Sequence, residues 1–279
     1  MKRPWFDIVE PKSGEAPVVV EVPHAGLYVP AEVLPNLVAP ARAIARVADL
    51  FVDVLYEDSP EEGATLLVAR TSRYVADLNR ADDDVDGGVV AGDPRGARPQ
   101  ARGLIWRTTT DDEAALIRPL TREEYAFRVE SVHRPYHDAL RALLERKLTR
   151  FGYAILLCAH SMPSVGRTGH SDAGIARADV VPGSRGRTSA HKRIIDAVES
   201  VAVSQGRSVE HDRPYRGGWS TSFYGRPASN CHAIQVELAR RLYLDEHTLV
   251  RNMAGMTTTK RLCRAFVARL ASIPRDALT

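Results

Sequence analysis

The stretch YAILLCAHS, residues 153–161, decides how the chain is read. Gly152 stops the helical pattern before it, and the apolar run from Tyr153 to Ala159 is too short for an ordinary helix. It predicts a buried strand that delivers His160 and Ser161 at its carboxyl end. Upstream, PVVVEV (17–22) is short, β-branched and bounded by Gly14 and Pro23, so it predicts a second buried strand, leading into Pro23-His24-Ala25-Gly26. Downstream, AIQVE (233–237) predicts a third, ending in the carboxylate of Glu237. Ala64–Ala69 and Ser72–Leu78 read as further strands, the latter followed by Asn79-Arg80.

Helical patterns alternate with these strands. From Ala41 to Tyr56 the positions Ile44, Ala48, Phe51 and Leu55 recur at helical spacing, with Asp49 and Asp53 together on a flank. Thr121-Arg122-Glu123-Glu124 is a capping box that opens a long helix, with Val129, Val132, Tyr136, Leu140, Leu143 and Leu144 inward and a kink expected at Pro135. Ile194, Ile195, Val198 and Val201 mark another helix, and Leu249 to Phe266 closes the chain helically. Three segments, Ala81–Pro119, Met162–Thr188 and His211–Asn230, read as irregular. The alternation argues for an α/β sandwich, with no repeat and no linker, so 1–279 is expected to form one domain.

Composition bounds the function. The chain has 279 residues, 44% hydrophobic and 26% charged, which excludes fibrous and disordered classes. Its 38 Lys and Arg against 35 Asp and Glu leave a net charge of only +3, without basic runs, so nucleic acid is not the expected partner. No apolar run approaches the ~20 residues of a membrane span, and MKRPWFDIVE lacks the apolar stretch of a secretory signal, so a cytoplasmic address is expected. Cys158, Cys231 and Cys263 have no C-x-x-C spacing and read as buried, reduced thiols. A small molecule is the expected partner, and the oligomeric state stays open.

In open α/β sheets ligands bind outside the carboxyl ends of the strands. His24, His160 and Glu237 all belong there, and two imidazoles joined by a carboxylate suit a catalytic divalent metal, with Glu237 or a neighbour taking a proton from water. Arginines crowd the same mouth: Asn79-Arg80, Arg216, Arg226 and Arg240. Guanidinium forks bind carboxylates bidentately, which suits an anionic substrate, and the apolar residues before Arg80 lead us to expect it buried. A serine hydrolase built on Ser161 is disfavoured, because neighbours on a strand point to opposite sides and no G-x-S-x-G exists. Neither nucleotide-binding glycine motif occurs.

Beside this reading, eight segments resemble the N-formylglutamate amidohydrolases (N-formylglutamate deformylases) of histidine degradation. They are VPHAG (22–26), ADLFVDVLY (48–56), YVADLNR (74–80), GLIWRT (103–108), RPYHDAL (134–140), AHSM (159–162), RPYRGGWSTSFYG (213–225) and CHAIQVELAR (231–240). The resemblance implies a three-layer sandwich with a mixed, mostly parallel sheet, phosphorylase/hydrolase-like and shared with the zinc carboxypeptidases. It implies cleavage of the formamide of N-formyl-L-glutamate, or a related N-acyl amino acid, to formate and the free amino acid. It further implies a divalent metal, zinc, on His24, Asp49 and His160, although the H-x-x-E pair of the carboxypeptidases is missing after His24. Glu237 resembles the general base, Asn79 and Arg80 the clamp on the substrate's α-carboxylate, and Arg216 or Arg240 the holder of a second carboxylate. Tyr224, Asp77 and His232 are expected to support the ligands, the substrate or the oxyanion. The alternative is a non-catalytic binder of anionic ligands on the same scaffold.

Overall fold

The computed structural model describes residues 5–12, 14–94, 102–168 and 170–278. Among the described residues, six strands form one mixed sheet with flanking helices: β1 (Phe6–Val9), β2 (Val18–Val22), β3 (Thr65–Ala69), β4 (Ala154–Met162), β5 (Val180–Gly183) and β6 (Cys231–Ala239), in the order β1-β3-β2-β4-β6-β5. The helices are α1 (Ala41–Val47), α2 (Val52–Leu55), α3 (Arg122–Arg128), α4 (Arg134–Phe151), α5 (Lys192–Ser204), α6 (Trp219–Tyr224) and α7 (Met253–Ala271). The chain divides into two compact units, one of Met1–Asp7, Pro23–Leu50 and Val68–Leu140, the other of Ile8–Val22, Phe51–Leu67 and Arg141–Thr279.

The second unit carries the centre of the sheet. β2 pairs in parallel with β4, and β4 in parallel with β6, with His160 opposite Glu237. All nine residues of β4 and all nine of β6 are buried, so these strands read as continuous apolar runs rather than alternating ones. β4 runs three residues beyond the expected Ala159, to Met162, and β6 two beyond Glu237, to Ala239. α5 packs against α7, whose buried Met256, Leu262, Cys263, Phe266 and Leu270 recur at helical spacing. The three cysteines are free and buried, as expected.

Two short strands were not expected from the sequence. β5 pairs antiparallel with β6 at the end of the sheet order, where Pro182 is tolerated because an edge strand need not donate to a further neighbour. β1 (FDIV) has only Phe6 buried, too little apolar signal to stand out. α6 is likewise a single short helix of poor helix formers between Gly218 and Gly225.

The first unit has few regular elements and a core of its own, in which Val75, Val89, Leu104, Ile105, Leu120 and Val132 are buried together. Two expectations fail here. The helix expected over 41–56 is broken: α1 ends at Val47, Ala48 is extended, and Phe51 is left-handed at φ 65° before α2 begins. Asp49 therefore sits in the break, not on a helix flank. Ser72–Leu78 is a turn rather than a strand, because the Ser72 hydroxyl accepts from the Tyr74 amide (3.3 Å) and its carbonyl from the Val75 amide (2.8 Å). The capping box at Thr121 forms as read, with both reciprocal hydrogen bonds, a feature typically worth ~1 kcal/mol. Between α3 and α4 a π-helical turn, Val129–His133, precedes Pro135. Such a turn is one way a helix absorbs the hydrogen bond that proline cannot make.

Candidate active site

β2 ends at Val22 and hands the chain to His24, whose ring is 1% exposed. Its Nε2 lies 2.8 Å from Asp77 Oδ1, and its Nδ1 lies 3.6 Å from Asp49 Oδ2. The Asp49 amide in turn donates to the His24 carbonyl at 2.9 Å, so the helix break is tied directly to the segment after β2. Asp77 is fully buried and collects donors: Arg73 Nε at 3.0 Å, Trp106 Nε1 at 3.2 Å and the Asn79 amide at 3.0 Å, besides His24. Burial alone would push its pKa up. Arg73, His24 and Arg80 reverse that and hold the carboxyl well below the usual carboxylate range. The ionised Asp77 faces His24 Nε2, so Nδ1 is the ring nitrogen turned towards Asp49.

The segment after Asp77 is clamped from the π-turn side. His133 Nε2 lies 2.9 Å from the Arg80 carbonyl and His137 Nε2 lies 2.9 Å from the Leu78 carbonyl, the two rings 4.4 Å apart on one helix face. Arg80 itself departs from expectation. Its side chain is 44% exposed rather than buried, with Nη1 3.4 Å from Asp84 and Nε 4.0 Å from Asp77. The turn that replaces the expected strand places Asn79-Arg80 at a surface rather than at a strand end.

His160 and Glu237 come from the adjacent strands β4 and β6, 3% and 7% exposed. Gln235, two residues before Glu237 on the same strand, donates from Nε2 to Glu237 Oε1 at 3.0 Å. Beside His160, the Ser161 hydroxyl accepts from Arg240 Nε at 3.2 Å, and Arg240 is 3% exposed. Ser161 thus serves as an arginine's partner, in keeping with the rejection of a serine nucleophile. Tyr224, in α6, is buried, whereas Arg216 and Arg226 are exposed.

His232 does not belong to this group. It is paired with Ile155 at the amino end of β6, five positions from Glu237 and so ~17 Å along the strand. Its Nδ1 accepts from the His191 amide at 3.3 Å, and burial, with His191 nearby, pushes its pKa down to about 4. Sequence reasoning missed Trp106, Arg73, His133, His137 and Gln235. Each had been quoted within or beside a recognised segment, but nothing in the spacing showed what it would touch.

The ligand atoms of His24, Asp49 and His160 all lie within 4.8 Å of one another, and the three buried side chains can hold a metal ion. Such a donor set, on an α/β fold, is of the kind that a cation-dependent hydrolase uses. Residues 16–244 match the family FGase: N-formylglutamate amidohydrolase, and the chain belongs to that family. It is 34% identical to the N-formylglutamate deformylase of Pseudomonas putida, with 84% of each chain covered. It is 33% identical to that of Pseudomonas aeruginosa, over 97% of this chain and 98% of the other. Among solved structures, the N-formylglutamate amidohydrolase of Ralstonia eutropha JMP134 superposes with a TM-score of 0.88 at 31% identity, covering 97% of this chain and 98% of that one. A gene product of Agrobacterium tumefaciens, at 16% identity, TM-score 0.66 and coverage of 97% and 96%, shares the fold.

Proposed function

We propose that the chain hydrolyses N-formyl-L-glutamate to formate and L-glutamate, the reaction for which its relatives are named. The observation that carries this is the buried His24-Asp49-His160 group inside the span that matches the family. The donor set fits a divalent ion, which we assign as zinc. The Nε2 proton of His24 is engaged by Asp77, leaving Nδ1 as a ligand, and Asp49 and His160 complete three protein ligands with a position open. When bound, such an ion would supply Lewis-acid polarisation to the hydrolysis of the formamide. The two units are interleaved along the chain, which supports one catalytic domain over 1–279.

In this reading Glu237 takes the proton of the attacking water and passes it to the leaving amine, a role typically worth ~10²–10⁴-fold. Asn79 and Arg80 clamp the α-carboxylate of the substrate. Arg240 holds its side-chain carboxylate, a choice over the exposed Arg216 supported by burial and by the Arg240 bond to Ser161, the neighbour of His160. Tyr224 donates to the substrate as its formyl oxygen gains charge.

The test is formate release from N-formyl-, N-acetyl- and N-carbamoyl-L-glutamate by protein purified without chelator, alongside elemental analysis. Formate from the first, near one equivalent of zinc, and loss of both in His24→Ala and His160→Ala are the expected results. Absence of formate with the metal present would refute the activity, and full metal retention in both variants would refute the ligand set.

A further inference from the structure

Gln235 is 3% exposed and makes two hydrogen bonds of opposite polarity. Its Oε1 accepts from the Gly218 amide at 2.8 Å, and its Nε2 donates to Glu237 Oε1 at 3.0 Å. A backbone amide can only donate, so Gly218 compels the side-chain oxygen of Gln235 to face it. The NH₂ group is thereby turned on Glu237, and Glu237 Oε1 can serve there only as an acceptor. The Glu237 carboxyl is thereby held through Oε1 in one direction.

The Gly218 end of this relay is itself held. Gly217 adopts φ +99°, and a Cβ added at Gly183 would come within 2.6 Å of the Gly217 nitrogen, so the turn lies directly on the end of β5. Across the turn, the Arg185 amide donates to the Arg216 carbonyl at 2.8 Å. The direction of the Gln235 amide is therefore set by backbone, not by a mobile side chain.

We propose that Gln235 is the positioning residue for proton transfer, fixing through Oε1 the direction of the Glu237 carboxyl that takes the proton from water and gives it to the amine. The inference rests on Glu237 being the base. A carboxylate free to rotate offers its oxygens in any direction, whereas one whose Oε1 is engaged is held in a single orientation.

A double-mutant cycle tests this with Gln235→Met, which keeps length and volume, and Glu237→Gln. Gln235→Met lowers kcat for N-formyl-L-glutamate by about 10- to 100-fold, the range expected when a charged group loses a buried donor, while KM moves less than about threefold. In the Glu237→Gln background the same substitution costs less than about twofold, because the group it acts through has gone. Equal losses in both backgrounds, or an unchanged kcat, would overturn the proposal. Melting temperature and bound metal are read on every variant, and Gln235→Leu replaces Gln235→Met if the latter does not fold. If Glu237→Gln alone keeps activity within a few-fold, the base assignment fails and takes the Gln235 proposal with it. That result is visible before any Gln235 variant is made.

Discussion

Two groups of candidate residues are positioned by different physical means. His160 and Glu237 lie on neighbouring parallel strands and are brought opposite each other by the sheet's own hydrogen-bond ladder. His24, Asp49, Asp77, Asn79 and Arg80 lie in segments without regular structure. They are held by side chains that reach main-chain or carboxylate partners: His133 and His137 on two carbonyls, and Arg73, Trp106 and His24 on Asp77. A ladder positions by repetition, so one substitution leaves its neighbours in place. A pinned loop positions by a few specific bonds, and the loss of one frees several groups together.

Glu237→Gln should show the largest effect. The ladder is untouched, so kcat falls by ~10²–10⁴-fold while bound metal and melting temperature stay at wild-type values. Loss of metal in this variant would mean that Glu237 itself helps to hold the ion.

Asp77→Asn attacks the pinned region. It removes the anion that fixes the His24 tautomer, and metal affinity should weaken by ~10–100-fold, the usual cost of losing a ligand's hydrogen-bond partner. Its second signature is acid stability in metal-free protein. Asp77 is held below the ~3.9 of an unfolded aspartate, so its stabilisation is fully present above that pH and is lost as pH falls through the folded-state value. The Asn variant should be less stable at neutral pH and lose less between about pH 4 and 2. Parallel acid-unfolding curves would show that Asp77 is not the anchor.

Arg80→Lys is milder, since the side chain is half exposed and already faces Asp84 and Asp77. It keeps the charge and loses the fork, so kcat/KM for N-formyl-L-glutamate should drop by roughly tenfold, with little change for the analogue whose α-carboxylate is an amide. Equal losses on both substrates would place Arg80 away from the carboxylate.

The smallest effect belongs to the amino end of β6. His232 remains neutral in the fold down to about pH 4, whereas an unfolded histidine protonates near ~6.5. The unfolded state therefore binds the extra proton, and stability falls as pH drops across that window. His232→Leu should flatten this slope and leave kcat unchanged. A change in kcat would connect this end of the strand to the chemistry.

The same contrast explains what the chain's letters disclosed. Strand-borne residues were legible because burial on both faces writes itself as continuous apolar runs such as AILLCA, and His160 and Glu237 fall next to those runs. The positions of Asp49 and Arg80 were misjudged because local periodicity lost to other local rules: a left-handed Phe51 breaks the helix, and the Ser72 hydroxyl turns an apparent strand. Asp77's importance was out of reach of any spacing rule. It depends on Trp106 and His24, far away in sequence, meeting one carboxylate. Resemblance to a family supplied what periodicity lacked at Asp49, whose local pattern suggested only an exposed helical acid.

The pairing of β2 with β4 and of β4 with β6 has a consequence for how the molecule comes into being. Val18 meets Ile155, and Ala154 meets Cys231, so the centre of the sheet joins segments made far apart in time at the ribosome. Such high contact order slows folding, and a nascent β2 waits with an open, apolar edge until β4 emerges. His24 and Asp49 are synthesised more than a hundred residues ahead of His160, so an incomplete chain can hold part of a cation's ligand set but not the whole. Chaperone demand should therefore fall most steeply once β4 and β6 have left the exit tunnel.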